Sequence, residues 1–388
     1  MMQQAGPIAI AADPPPDRSE LLRRARALVP ALRARAEQGE ALRRVPDETI
    51  ADLIGSGVLR TCQPIRFGGS GLGWDAVCEI AMELGRGDGS QAWVANVYAE
   101  HAYILALFED RAQREVWDDA PRALLAASIV PQGNDARPVE GGYRLSGRWG
   151  FTSGVHHADW IILAEMAKDA AGARHCYFLV PAADYRILDD WHTIGMVGTG
   201  SSSVALENVF IPAHRVIAND DVTAGTTPGA RFADDPLLRM PILGFAQLAL
   251  AAVPIGVVAG MLDDFRPVLR KAASGAGAEL LQERYSASAA ELHAARLLLL
   301  DAARGNMETL ARGEALVEAD AARSLRDAAY AVTLAKRAAT RLFEATGGRG
   351  IYLASPMQRA FRDVQASGGH GSLNWERSAL RYARSAMV

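Results

Sequence analysis

The stretch RLSGRWGFTSGVHHADW, Arg144 to Trp160, decides how the rest of the chain is read. Trp149, Phe151 and Trp160 stand among Gly150 and Gly154, the hydroxyls of Thr152 and Ser153, and the adjacent His156 and His157. The run is too broken by glycine for a helix and too polar for a plain core strand. Around it, over residues 123–220, short apolar runs alternate with turn residues, as in GGYRLSGRW, DWIILAEM, HCYFLVPA and SSSVALENVFIP, which is the texture of a small β domain.

Both flanks read as helical. Over 18–122, ELLRRARALVPALRARAEQGEALRRV sets leucine and valine at three- and four-residue steps with arginine between them. Asp47, after Pro46, reads as the N-cap of ETIADLIGSGVL, whose Ile50, Leu53, Ile54 and Val58 form one stripe. FGGSGLGW breaks the pattern before two further helical runs, DAVCEIAMELGRG and SQAWVANVYAEHAYILALF. Residues 1–17 lack a basic region and end among prolines, so they read as a disordered tail rather than a signal peptide. Residues 221–236 are turn-rich and read as a linker, and 237–388 return to long helices with small residues that permit close packing. The most apolar run, Ala246 to Leu262, carries Gln247 and Pro254 and falls short of the roughly 20 strongly apolar residues a membrane span needs. It reads as a buried helix. The expected fold class is therefore mainly α with a central β domain.

Composition narrows the partners. The 388 residues are 49% hydrophobic and 22% charged, which is globular, and a net charge of −4 gives no electrostatic reason to bind nucleic acid or an anionic membrane. A small molecule is the expected ligand. Cys62, Cys78 and Cys176 are odd in number and lack CxxC spacing, arguing for buried thiols in a reducing, cytoplasmic setting and against a disulfide framework or zinc site. No GxGxxG, GxxxxGK[ST] or HExxH occurs. Adjacent histidines in a strand point to opposite faces, so His156 and His157 are not expected to share an ion, and no metal is expected.

Three segments together carry a resemblance: the stretch quoted above, ILDDWHTIGMVGTGSSSVALENVFIPAHRV, and PMQRAFRDVQASGGHGSLNWE. Over about residues 20–385 the chain resembles the acyl-CoA dehydrogenase superfamily, and within it the flavin-dependent monooxygenase branch. That branch includes the oxygenase components of 4-hydroxyphenylacetate 3-hydroxylase and of the steroid-phenol hydroxylase, the indole oxygenases and the sugar nitrososynthases. The resemblance implies an N-terminal helical domain, a middle β-barrel or sandwich and a C-terminal four-helix bundle. It also implies the oxygenase component of a two-component system. A separate flavin reductase would supply FMNH2 or FADH2, O2 would add to form a C4a-hydroperoxyflavin, and a small phenolic or indole-like aromatic would be hydroxylated. A homotetramer is implied as well.

By the same resemblance, Phe151 takes the place of an aromatic lying along the isoalloxazine, and Ser153 that of a hydroxyl at flavin N5. N5 changes between donor and acceptor with redox state, and a hydroxyl can meet both. Thr152 and Gly154 complete that cofactor turn, although a β-turn that only satisfies its own hydroxyls is an equally simple reading of Thr152 and Ser153. His370, in SGGHGSLNWE, stands where the branch places its base, and an imidazole titrating near neutrality suits deprotonation of a phenol. Trp93, His101 and Ser128 would line the substrate pocket, with His101 assisting His370. Arg270, Gly347 and Gly348 would reach a neighbouring subunit's flavin. Arg359, Arg362 and Asp363 read as a structural ion-pair set under the His370 loop, and His175, His192, His214 and His293 as surface or structural residues.

Other readings stay open: a flavin N- or S-monooxygenase of the same fold, an acyl-CoA dehydrogenase with Glu376 as base, and a non-catalytic scaffold. Glu376 falls six residues past His370, in what should already be the closing helix.

Overall fold

The computed structural model of the protein describes residues 15–169, 172–232, 235–271 and 277–387. The first 14 residues of the expected tail lie outside this range. Asp17, the last residue of that expected tail, is instead ordered by its own chemistry. Its carboxylate accepts from Glu20 N at 2.8 Å and caps α1 (Arg18–Leu42). Leu21, Ala25, Leu32 and Ala36 form the buried stripe of that helix. Asp47 proves to be the first residue of α2 (Asp47–Ser56), with Pro46 at the cap. The Asp47 side chain caps nothing there because it is drawn to His157 Nε2 at 2.8 Å.

Helices α3 (Trp74–Gly85) and α4 (Gly89–Ala106) are the centre of the N-terminal half, and every residue of α4 is buried. A helix apolar on all sides must be enclosed on all sides. Helix α5 (Asp110–Trp117) closes this part. Strands β1 (Leu125–Ser128), β2 (Asp135–Val139), β3 (Gly142–Trp149), β4 (Trp160–Asp169), β5 (Gly172–Pro181), β6 (Arg186–Ile187), β7 (Val204–Pro212) and β8 (Val216–Ala218) follow. They form two four-stranded sheets, ordered β1-β4-β5-β8 and β2-β3-β7-β6, in which only the β1–β4 pair is parallel. Register then places the site: Leu125 pairs with Trp160 and Trp149 with Val204, so the segments 150–159 and 197–203 leave the sheets side by side. His156 and His157 lie in a single 3-10 turn, not in the strand expected for them.

The stretch expected as a linker holds the end of α6 (Asn219–Ala224) and all of α7 (Pro228–Phe232). Beyond it, α8 (Gln247–Lys271), α9 (Ala278–Ala311), α10 (Glu318–Ala345), α11 (Pro356–Ser367) and α12 (Trp375–Ser385) pack on one another. Among the described residues α8 is the one helix long and apolar enough to cross a membrane, yet 83% of its most apolar window is buried inside the protein. It is the spine that joins the two helical halves, packing on α3 and α4 as well as on α9 and α10. Glycine sets how close it comes. A Cβ at Gly256 would lie 2.3 Å from the Met82 carbonyl oxygen, and one at Gly260 would lie 2.6 Å from that of Arg86.

Because the atoms in the way are backbone, no rotamer change relieves them. Gly256→Val is expected to cost about 1–3 kcal/mol through forced separation of α3 and α8. Urea denaturation read by tryptophan fluorescence checks this, with Ala259→Val on the less buried side of α8 as the comparison that should move little.

Candidate active site

The turn from Phe151 to Gly154 is clamped from two directions. From α4, Tyr98 donates its hydroxyl to Gly154 O at 2.5 Å. From the 197–203 segment, Thr199 O accepts from Gly154 N at 3.0 Å, and Ser202 O accepts from the Thr152 hydroxyl. Gly154 has a φ of +76°, and a Cβ there would come within 2.9 Å of the Tyr98 ring, so both conformation and space require glycine. Thr152 is wholly buried and its hydroxyl is spent, so the turn reading fits this residue. Phe151 takes a left-handed φ of 60°, rare for an aromatic residue, and its side chain is 76% exposed. Its ring stands edge-on to Trp191 with centroids 6.0 Å apart. An uncovered aromatic held in a strained turn is a surface prepared for a flat partner.

Ser153 points the other way, into the protein, and is 8% exposed. Its oxygen accepts from Trp93 Nε1 at 3.1 Å and lies 2.7 Å from Ser201 Oγ, which is itself 2.7 Å from Thr199 Oγ1. Trp93 is in turn beside His370, with ring centroids 6.1 Å apart. Residues from α4, from the turn after β3 and from the loop after α11 therefore meet at one point. His370 Nδ1 lies 2.7 Å from Ser372 Oγ and 3.3 Å from Ser372 N. Protein packed around the ring holds its pKa below the ordinary imidazole value, an effect limited by the open face of the residue.

His101 is fully enclosed, and burial pushes its pKa down to about 4. Its Nδ1 donates to Leu125 O at 2.7 Å, which leaves Nε2 as the bare nitrogen of a neutral ring. Ser128 donates to Gly150 O at 3.1 Å at the far end of β1. Arg270, exposed in the last turn of α8, and Gly347 and Gly348, exposed after α10, make no hydrogen bond or ring contact with the turn in this chain. Glu376 is exposed in the first turn of α12.

Sequence reasoning missed Gln132, which ties the two sides of the mouth together. Its amide accepts from Gly150 N at 3.0 Å and donates to Ser128 Oγ at 2.8 Å. The buried Glu165 carboxylate holds that loop by accepting from Gln132 N, Gly133 N and Asn134 N at 3.2, 3.2 and 2.9 Å. No spacing rule would have paired Gln132 with Glu165. Among the other histidines, His156 bonds Ser202 Oγ at 3.1 Å and His214 bonds Glu115 at 2.8 Å.

The set read as an ion-pair cluster divides. Arg359 and Arg362 both grip Glu40 of α1, at 3.0 and 2.5 Å, and Arg362 also donates to Ile194 O at 2.6 Å. Asp363 pairs with neither arginine. It is buried, accepts from Met196 N at 2.6 Å, and has its pKa raised by burial and by the neighbouring Asp88 carboxylate.

With this geometry in place, the kinship of the chain can be stated. Residues 15–118 match the acyl-CoA dehydrogenase N-terminal domain and residues 239–375 the acyl-CoA dehydrogenase C-terminal domain. The FADH(2)-dependent resorcinol hydroxylase oxygenase component of Rhizobium sp. (strain MTP-10005) is 38% identical over 89% of this chain and 88% of its own. Among solved structures, the 3-HSA hydroxylase from Rhodococcus sp. RHA1 superposes with a TM-score of 0.92 at 30% identity, covering 96% and 98% of the two chains. XiaF from Streptomyces sp., in complex with FADH2 and glycerol, superposes at 0.85 with 28% identity over 95% of each. The chain belongs to the acyl-CoA dehydrogenase superfamily, in its branch of flavin-dependent oxygenase components. It is a flavin-dependent monooxygenase, an oxidoreductase.

The Asp88–Asp363 pair gives a testable linkage. A carboxyl whose folded pKa is raised contributes stability that is complete below the unfolded value near 3.8 and is lost as pH rises through the folded value. Stability should therefore decline as pH climbs from the ordinary carboxylate range toward neutrality. Asp363→Asn keeps an acceptor for Met196 N and should flatten that decline, as measured by urea unfolding at a series of pH values.

Proposed function

We propose that this chain hydroxylates a small phenolic or indole-like aromatic, with His370 as the base and Ser153 at flavin N5. The observation that carries the reading is the meeting of Trp93, Ser153 and His370 at one point, with Ser153 on the same turn that leaves Phe151 exposed. These residues fit a flavin: Phe151 offers an uncovered aromatic face for the isoalloxazine, and Ser153, two residues on, offers a hydroxyl oxygen for N5. Reduced flavin, FMNH2 or FADH2, supplies the electrons and the activation of O2 when bound. A separate reductase delivers it.

The protein's own share is proton handling and placement. Ser372 orients the ring that takes the phenolic proton: its backbone N–H donates to His370 Nδ1 at 3.3 Å, and its hydroxyl lies 2.7 Å from the same nitrogen. Trp93 fixes the wall against which the substrate ring lies. Ser128 is held by Gln132 at the mouth, and His101, neutral at physiological pH, serves as an acceptor rather than as the base. Arg270, Gly347 and Gly348 act across a subunit boundary in a homotetramer. The exposed Ile351, Tyr352 and Leu353, 69%, 70% and 80% accessible beside Gly347 and Gly348, are consistent with such a boundary. The three buried free cysteines suit a reducing, cytoplasmic setting.

His370→Ala should still consume reduced flavin and O2 but release H2O2, with hydroxylation lowered by about 10²–10⁴-fold. Product and H2O2 measured together check this, and fully coupled hydroxylation in the variant rejects His370 as the base in favour of heteroatom oxidation. In the wild-type enzyme the base must be neutral, so kcat/KM should fall as pH drops through a value below 6.5. A pH profile on a phenol of known ionisation checks the limb, which His370→Ala should abolish.

A further inference from the structure

Ser153 is the near end of a string of buried hydroxyls whose hydrogens can be placed by counting donors and acceptors. Thr199 Oγ1 lies 2.7 Å from the Met196 carbonyl oxygen, which can only accept, so the Thr199 hydrogen points there. Across the 2.7 Å contact between Thr199 and Ser201, Thr199 therefore accepts, and the one hydrogen of Ser201 is spent. Ser201 then accepts across its 2.7 Å contact with Ser153. On the other side, the indole of Trp93 can only donate, and does so to Ser153 at 3.1 Å. Ser153 has thus given away its hydrogen and one lone pair, and one lone pair is left.

The string has no slack. Ser153, Ser201, Thr199 and Trp93 are each no more than 8% exposed, so water cannot easily replace a lost partner. Its far end is fixed as well, because Met196 takes a left-handed φ of 54° while its N–H is held by Asp363 at 2.6 Å and its carbonyl also accepts from Trp191 Nε1 at 3.2 Å.

We infer that Thr199 and Ser201 are positioning residues that lock Ser153 as a pure hydrogen-bond acceptor, and that the chain thereby selects the reduced state of its flavin over the oxidised state. The inference rests on the placement of flavin N5 at Ser153 proposed above. Reduced flavin carries a hydrogen on N5, whereas oxidised flavin presents a lone pair there. An oxygen with only a lone pair to offer attracts the first and repels the second. A freely rotating hydroxyl would serve both.

The test is equilibrium binding of FMN and FAD, each oxidised and anaerobically photoreduced, to the full-length protein and to Ser201→Ala, Thr199→Val and Ser201→Thr. Ser201→Ala and Thr199→Val release the Ser153 hydrogen to reach an oxidised N5. In both, the ratio of oxidised to reduced Kd should fall by about three- to tenfold, the value of one hydrogen bond. The midpoint potential of the bound flavin should fall with it, while Ser201→Thr, which keeps the hydroxyl, should hold the wild-type ratio. Thr199→Val, nearly isosteric, carries the test should Ser201→Ala not fold. A wild-type ratio in Ser201→Ala or Thr199→Val, with flavin bound, overturns the inference and leaves the proposed function standing. Failure of the wild-type protein to bind flavin in either state overturns both.

Discussion

The clamp on the turn after β3 is the constraint on which the site depends. Tyr98 from the buried α4 takes hold of Gly154 O, while Thr199 O takes Gly154 N and Ser202 O takes the Thr152 hydroxyl. With its middle held on both sides, the turn can keep Phe151 at a positive φ and almost uncovered, a conformation the residue would not adopt unaided. The same clamp sends Ser153 inward to Trp93 and Ser201. Outside, an aromatic face is left bare. Inside, a hydroxyl is committed.

What holds the clamp in turn is the packing of α4 against α8, and of both against the 194–203 segment through α11. Arg362 reaches Ile194 O and Asp363 reaches Met196 N, so α11 fixes the segment that carries Thr199 and Ser201. His370 is the third residue past the end of α11. One helix therefore aligns the proposed base with the hydroxyl string. The two arginines on Glu40 tie this helix back to α1, so the geometry of the site is shared between the first and last parts of the chain.

Much of this was legible in the sequence, and the gaps have physical causes. The α, β, α order showed in hydrophobic periodicity, and the buried character of α8 showed in Gln247, Pro254 and its glycines. Ser153 and His370 were grouped through the resemblance carried by the quoted segments, and Trp93 joined them as a further position that the same resemblance implies. Asp47 was misplaced because its capping chemistry is the same whether its partner is the local backbone or a distant His157. Asp363 was grouped with its arginine neighbours because adjacency in a helix suggests pairing, whereas the side chain faces the other way toward Met196 and Asp88. Gln132 and Glu165 were invisible for a simpler reason. Glu165 acts on three backbone N–H groups and Gln132 on Gly150 N as well as on Ser128 Oγ, and backbone partners carry no residue signature.

The central claim is that the bare face of Phe151 and the committed oxygen of Ser153 are two parts of one flavin site. A crystal structure of the protein grown anaerobically with reduced flavin tests it most directly. The account predicts the isoalloxazine lying along Phe151, with N5 within hydrogen-bond distance of Ser153 Oγ while Ser153 keeps its contacts to Trp93 and Ser201. A flavin seated elsewhere, or one whose N5 is met by another group, would contradict it.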